Sequence, residues 1–168
     1  SERIKLMSLN ALPMYQVALK NVRVPGANFV AGDFTPVLAS MRVTNASLAV
    51  GVARAAFEYA RDYAKERDAF GVKIAQKQAI AFMLAEMGIE IEATRLLTWE
   101  AAWKLDTGKQ DAADDAYLAA TSAADMVMMV TDRAVQILGG HGYIRDHPVE
   151  MWMRNGRGFS TFSGLAIV

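Results

Sequence analysis

From residue 35 almost to the end of the chain, apolar and small side chains recur at three- and four-residue steps. That rhythm keeps one face of an α-helix turned inward and does not suit the period-two alternation of a half-buried strand. Three short glycine-bearing stretches interrupt it, at 67–71, 106–108 and 139–142. Four helices are therefore predicted. The first runs from Thr35 to about Glu66, with Leu38, Met41, Asn45, Leu48, Val52, Ala56, Tyr59 and Tyr63 as its periodic stripe. Pro36 suits the first turn, where its missing N–H is harmless, and Thr35 or Asp33 is the expected cap. The second begins near Ile74, carries Ile80, Leu84, Met87 and Ile91 on one stripe, and reaches Trp103. Asp106-Thr107-Gly108 turns the chain. Asp111, Asp114 and Asp115 crowd the start of the third helix, where the positive end of the helix dipole favours carboxylates. Its stripe is Ala116, Ala120, Ala123, Val127, Val130, Ala134 and Ile137, and the last helix spans Pro148 to about Phe162. Long helices with short links predict an all-α fold, an up-and-down four-helix bundle preceded by a short β segment.

Residues 1–33 read differently. Tyr15, Val17 and Leu19 alternate with Gln16, Ala18 and Lys20, and Val22 and Val24 flank Arg23 before the Pro25-Gly26 turn. That is strand patterning, but one or two strands do not make a stable sheet alone. The segment either docks on the helices or is the edge of a sheet whose other strands lie elsewhere, and the shortage of β sequence favours the second. The expected division is a β remnant with linker over 1–33 and a helical domain over 34–168.

Composition narrows the function classes. A chain of 168 residues is the size of one domain, with roughly 70% of its unfolded surface available for burial. Lys plus Arg and Asp plus Glu both number 18, so no long-range attraction to nucleic acid or an acidic membrane is expected. The absence of Cys excludes disulfides and thiolate metal sites and favours a reducing compartment. Two His make a metal cage improbable. No apolar run of about 20 residues predicts a transmembrane helix. The start, Ser1-Glu2-Arg3-Ile4-Lys5, has neither an initiator Met nor a signal-peptide core, which fits processing or excision from a longer chain.

Each chemically suggestive motif also has an ordinary explanation. Arg67-Asp68-Ala69-Phe70-Gly71 reads as a helix C-cap, with a cation near the negative dipole end and then glycine, or as an anion site in which Arg67 grips a phosphate. Gln78, one turn into the second helix, is commonly a residue bonded to a neighbouring helix. Trp99 and Trp103 fit core or interface, and His141 a loop. Gly139, Gly140 and Gly142 exceed what a simple helix stop needs, and suit a surface approached by a flat or phosphorylated group. No Ser/His/Asp spacing, HExxH or P-loop occurs, and the glycines lack the preceding strand of a dinucleotide fingerprint.

Taken together the motifs resemble the C-terminal half of the acyl-CoA dehydrogenase family. They are Arg67-x-x-Phe70-Gly71, Gln78, Leu84-Ala85-x-Met87, Arg95, Gln136-Ile137-x-Gly139-Gly140-x-Gly142-Tyr143, Pro148-Val149-Glu150 and Met153-Arg154. Asn21-Val22-Arg23-Val24-Pro25 resembles the last strand of that family's middle β domain. The resemblance implies FAD as cofactor and an acyl-CoA thioester as substrate. It also implies a homodimer, or a homotetramer built as a dimer of dimers, and an electron-transfer flavoprotein or another acceptor as partner. Arg67 and Phe70 would hold the FAD pyrophosphate of a neighbouring subunit, and Gln136, Gly139 and Gly140 its adenosine half, with Gln78 beside them. Ala69 replaces a Thr often found in the motif.

The implied reaction removes two hydrogens across Cα–Cβ, the α proton to a carboxylate and the β hydride to flavin. The family's base position near the C-terminus falls here on Ser163, and its alternative position, just before Arg42, on Met41. Neither side chain is a base near neutral pH. Ser163, through its backbone N–H, with Gly164 and Arg42, would remain as thioester contacts. Two readings follow: a dehydrogenase whose base lies elsewhere, or a catalytically silent relative that binds flavin, acyl-CoA or a partner or serves as an oligomerisation module.

Overall fold

The computed structural model describes residues 2–162. Its long helices are α1 (Thr35–Glu66), α2 (Gln78–Asp106), α3 (Ala112–Leu138) and α5 (Val149–Phe162), with a single-turn α4 (Gly140–Tyr143) between the last two. Four long helices and their order match the predicted bundle. Among the described residues, no helix is long and apolar enough to cross a membrane.

α1 and α3 form the central pair and run parallel. Arg42 near the start of α1 lies over Tyr117 near the start of α3, and Tyr63 at the end of α1 bonds His141 just past the end of α3. α2 and α5 run the other way. Lys104 late in α2 pairs with Asp115 early in α3, and Trp152 early in α5 meets Tyr59 late in α1. The α1 face toward the core is almost all alanine: Ala39, Ala46, Ala49, Ala53, Ala56, Ala60 and Ala64 are buried, with Val50. Alanines on both helices permit the short end of the ~8–10 Å range of interaxial distances. The stripe predicted for α1 is thus displaced by about one residue: Ala56 is core, but Leu38, Met41 and Leu48 are exposed. The large apolar residues misled the expectation because the tight α1–α3 contact selects small ones. The stripes predicted for α2 and α3 hold, from Met87 and Ile91 on one and from Ala116 to Ile137 on the other.

Other local departures have clear causes. Neither expected residue is the N-cap of α1: Phe34 holds that position without a side-chain cap bond, and Asp33, one residue earlier, accepts from the Thr35 N–H at 2.9 Å. A 3-10 turn at Ile74–Gln76 precedes α2, so that helix starts at Gln78 rather than near Ile74. Asp111 and Asp115 do more than meet the helix dipole: they grip Lys104 at 2.7 and 2.5 Å and close the α2–α3 turn. Hydrogen bonds to both carboxylates push the Lys104 pKa above its ordinary value.

The β segment is smaller than predicted. β1 (Glu2–Ile4) pairs antiparallel with β2 (Met14–Gln16), Arg3 opposite Tyr15. β1 carried no signal in the sequence. Val22 and Val24 have no ladder partner among the described residues and are exposed. Residues 7–9 dock on α5: the Leu9 N–H donates to Asn155 Oδ1 at 2.9 Å, and Arg154 Nη1 donates to the Met7 carbonyl at 3.0 Å. Gly158 makes room for this approach, since a Cβ there would sit 2.8 Å from Leu9. Arg154 also pairs with Glu150 one turn back, and that bond holds the Glu150 carboxyl below its usual range.

Candidate functional site

At the end of α1 the backbone of Arg67 becomes extended while its N–H still donates to the Tyr63 carbonyl. The Arg67 carbonyl then accepts from the Ile74 N–H at 3.0 Å, closing a miniature hairpin of β3 (Asp68–Ala69) and β4 (Val72–Lys73). Lys73 ties it shut through Asp68 at 2.6 Å and the Glu66 carbonyl at 2.9 Å. The two turn residues, Phe70 and Gly71, have φ of +54° and +81°. Positive φ at both positions is the signature of a type I′ two-residue hairpin turn, a conformation glycine adopts freely. A phenylalanine there is strained by about 1–3 kcal/mol. Packing among the described residues does not offset that strain, because Phe70 is 95% exposed and only the Lys77 ammonium approaches its ring there. The Arg67 guanidinium has no partner among the described residues. The C-cap reading is right for the backbone and leaves the side chains of Arg67 and Phe70 unused.

The glycines after α3 serve three separate ends. Gly139 caps the helix with φ +57° and bonds back to the Gln136 carbonyl. Gly142 is needed for room: a Cβ would lie 2.3 Å from the Val135 carbonyl oxygen. Gly140 has neither requirement, since its φ is not positive and a Cβ would meet nothing within 4 Å. A glycine with no internal reason leaves backbone open for something outside the chain.

These residues share one end of the bundle. The Tyr63 hydroxyl meets His141 Nδ1 at 2.8 Å, which sets the residue after Gly140 one turn from Arg67. The Glu86–Arg133 ion pair joins the early part of α2 to the late part of α3, so Gln78 and Gln136 flank the same end. Both glutamines are exposed, and Gln78 is the first residue of α2 rather than one turn inside it. Here the sequence reading missed a cluster. His147 Nδ1 meets the Tyr59 hydroxyl at 2.7 Å, and the two imidazoles stack 5.4 Å apart at 15°. Tyr59 and Tyr63 were expected only as core, and their partners lie 88 and 78 residues away in sequence, beyond any local pattern.

The opposite end holds an apolar cavity of about 570 Å³ between the start of α1, the end of α5 and the docked N-terminal segment. Leu9, Leu12, Leu38, Met41, Leu48 and Phe159 form its walls, and Ser40, Arg42, Thr44 and Asn45 its polar spots. Met41 therefore lies where a ligand would sit, and Arg42 is half-buried against Tyr117. Asn45 donates to the Phe159 carbonyl at 3.2 Å, tying α5 to this wall. No Asp or Glu lines the cavity among the described residues. Ser163 and Gly164 lie outside the described residues. Arg42 and Arg67 are 25 positions apart on one helix, about 38 Å at 1.5 Å per residue, so one small ligand does not touch both ends of the same chain.

A parallel alanine-packed helix pair, a Phe-bearing hairpin at one end and an apolar cavity at the other characterise this helical domain. The chain matches the acyl-CoA dehydrogenase C-terminal domain over residues 34–166 and belongs to that family of oxidoreductases. Among its relatives, "Probable acyl-CoA dehydrogenase FadE25" of Mycobacterium tuberculosis is 34% identical over 164 residues, 94% of this chain and 42% of that protein. Caffeyl-CoA reductase-Etf complex subunit CarC of Acetobacterium woodii is 36% identical over 168 residues, 96% of this chain and 44% of that protein. Among solved structures, butyryl-CoA dehydrogenase from Megasphaera elsdenii superposes with a TM-score of 0.88 at 33% identity, covering 96% of this chain and 44% of that one. The chain thus spans less than half the length of the relatives it matches.

Proposed function

We propose that this chain supplies the nucleotide-holding and substrate-lining helices of an FAD-dependent acyl-CoA dehydrogenase, with each nucleotide shared between two subunits. The carrying observation is the set of exposed groups at one end: the side chains of Arg67, Gln78 and Gln136 without a partner among the described residues, Phe70 met only by Lys77 there, and Gly140, beside which space is open. This donor set suits a dinucleotide. A guanidinium forks onto a pyrophosphate, a glycine N–H approaches closely, an exposed ring offers a stacking face, and amides read a purine edge. The substrate-lining cavity sits about 38 Å away, which supports the reading that the nucleotide held at Arg67 belongs to a neighbour. Residues 1–33 fit the closing strand and linker of a middle β domain, with the exposed Val17, Leu19, Val22 and Val24 awaiting strand partners. A soluble compartment, bacterial cytoplasm or organelle matrix, and an electron-transfer flavoprotein or other acceptor complete the proposal.

Arg67→Ala in the full chain tests it. Losing a charged, forked hydrogen bond costs about 1.5–3 kcal/mol, so FAD affinity, read by fluorescence titration, is expected to fall by roughly 10–100-fold. Unchanged affinity would exclude Arg67 from the nucleotide.

When bound, flavin supplies the hydride acceptor. The chain's own contribution is an apolar wall for the acyl group and, from Arg42, Ser40, Thr44 and Asn45, polar contacts beside it. No carboxylate lines the cavity among the described residues, which leaves both readings open: the α proton leaves to a base outside those residues, or the protein is catalytically silent.

α2 supplies the subunit contact. Phe82, Ile89, Leu96 and Trp103 repeat every seven residues, with Trp99 beside them, on the side opposite Met87, Ile91, Thr94, Thr98 and Ala101. Each is more than half exposed. A helix apolar on both faces needs cover on both. Five such side chains represent on the order of 600 Å² per copy, close to the share of a standard interface. Leu96→Glu with Trp103→Glu is expected to weaken self-association by more than about a hundredfold, since a buried unpaired charge costs several kcal/mol. Light scattering would show a smaller particle, and an unchanged mass would place the subunit contact elsewhere.

A further inference from the structure

The chain's two histidines, His141 and His147, both lie in the connection from α3 to α5, and both reach back to tyrosines one turn apart on α1. The rings interlock: His141 stacks on His147, Tyr63 meets both imidazoles edge-on, and Trp152 closes against Tyr59. None of these groups is needed for helix formation. Their joint effect is to fasten a glycine-bearing connection to the helix that carries Arg67.

An unbroken path runs through this cluster. Gly140 is covalently followed by His141, whose Nδ1 meets the Tyr63 hydroxyl, and the Tyr63 carbonyl accepts the Arg67 N–H at 2.9 Å. The two halves of the nucleotide site belong to different helices, and this is the hydrogen-bonded bridge between them. We infer that Tyr63 and His141 are positioning residues that set the distance between the Arg67 hairpin and the Gly140 backbone before a nucleotide arrives. The inference rests on the nucleotide reading given under Proposed function.

The physical reason is preorganisation. Gly139 and Gly140 give the connection more backbone freedom than other residues would, and ordering them on binding subtracts from affinity. A tyrosine–imidazole bond on a rigid helix removes that freedom in the free protein. Tyr59 and His147 repeat the bond one turn earlier and hold the far side of the same connection, so loss of one bond leaves the bundle closed.

The test is FAD titration of the full chain carrying Tyr63→Phe, His141→Leu, both together, or His141→Asn, with Arg67→Ala alongside. Each bond-breaking single variant is expected to weaken FAD by roughly five- to tenfold, the scale of one hydrogen bond's net effect. The double variant should be no weaker than either single, because one bond is lost once. His141→Asn, whose amide can take the place of Nδ1, should restore most of the affinity. A merely structural role would instead lower the melting temperature of the flavin-free protein with FAD affinity unmoved. FAD affinity of Tyr63→Phe within twofold of the parent, with Arg67→Ala still weakened, overturns the positioning role and leaves the nucleotide site standing. No change in any variant, Arg67→Ala included, overturns both. If Tyr63→Phe does not fold, the His141 pair carries the comparison, and failure of both to fold overturns the inference in favour of a structural role.

Discussion

Met41→Glu is expected to raise the rate of acyl-CoA dehydrogenation by about 10²–10⁴-fold in flavin-loaded full chain, the usual contribution of a positioned general base. Met41 forms part of the cavity wall, and no carboxylate accompanies it there among the described residues. A glutamate on that wall would have Leu38, Leu48 and Phe159 as neighbours on one side and solvent on the other, since Met41 is 56% exposed. A bound acyl group covering that wall would exclude water from the carboxylate, and such desolvation raises a carboxylate's pKa and makes it a better proton acceptor. The α proton of a thioester is acidified by the carbonyl, so a single base at the right place suffices. The measurement is substrate-dependent loss of flavin absorbance, followed by turnover with an artificial electron acceptor. Parent activity already at the level of the Met41→Glu variant would mean that a base outside the described residues does the work. No gain in a variant that binds FAD and acyl-CoA normally would show that the cavity does not present the α carbon to α1.

Gly142→Ala is expected to destabilise the bundle by about 3 kcal/mol, the upper part of the range for forced overpacking, and to lower the melting temperature by roughly 6–12 °C. The added methyl would lie 2.3 Å from the Val135 carbonyl oxygen and 3.0 Å from its carbonyl carbon. Both are backbone atoms of α3, so no side-chain rotation relieves the clash. Gly140→Ala is the matched control, because its methyl meets nothing within 4 Å. It should leave thermal stability within about 1 kcal/mol of the parent, the propensity scale of a Gly–Ala exchange. Equal melting curves for parent and Gly142→Ala would contradict the packing of α4 against the end of α3.

The motif glycines illustrate how much of the site could be read in advance. Three glycines in four residues marked the place, but not which of them caps, which makes room and which stays open. That division depends on where the Val135 carbonyl falls after one turn of α4, a distance no spacing rule contains. The Arg67 motif was ambiguous for a similar reason. Its backbone does cap a helix, and only the exposure of Phe70 at positive φ shows that the side chains remain uncommitted. For α1 the error had a definite source. Leu38, Met41 and Leu48 outrank alanine in hydrophobicity, yet the buried face of α1 is taken by alanines and these larger side chains line the cavity.

The number, order and approximate limits of the long helices, though not the single-turn α4, were set by chain-local physics: three- and four-residue periodicity, Pro36 and Asp33 at one start, and glycine at the breaks all act within a turn or two. The α2 and α3 core stripes followed from the same rule. What required tertiary structure was every relation between distant segments. The parallel pairing of α1 with α3, the Tyr59–His147 and Tyr63–His141 bonds, the docking of Leu9 on Asn155 and the separation of the Arg67 end from the Met41 cavity all join residues with no sequence proximity. Such contacts arise only after helices pack, because packing selects by shape and distance, whereas a sequence pattern records only the preferences of neighbours.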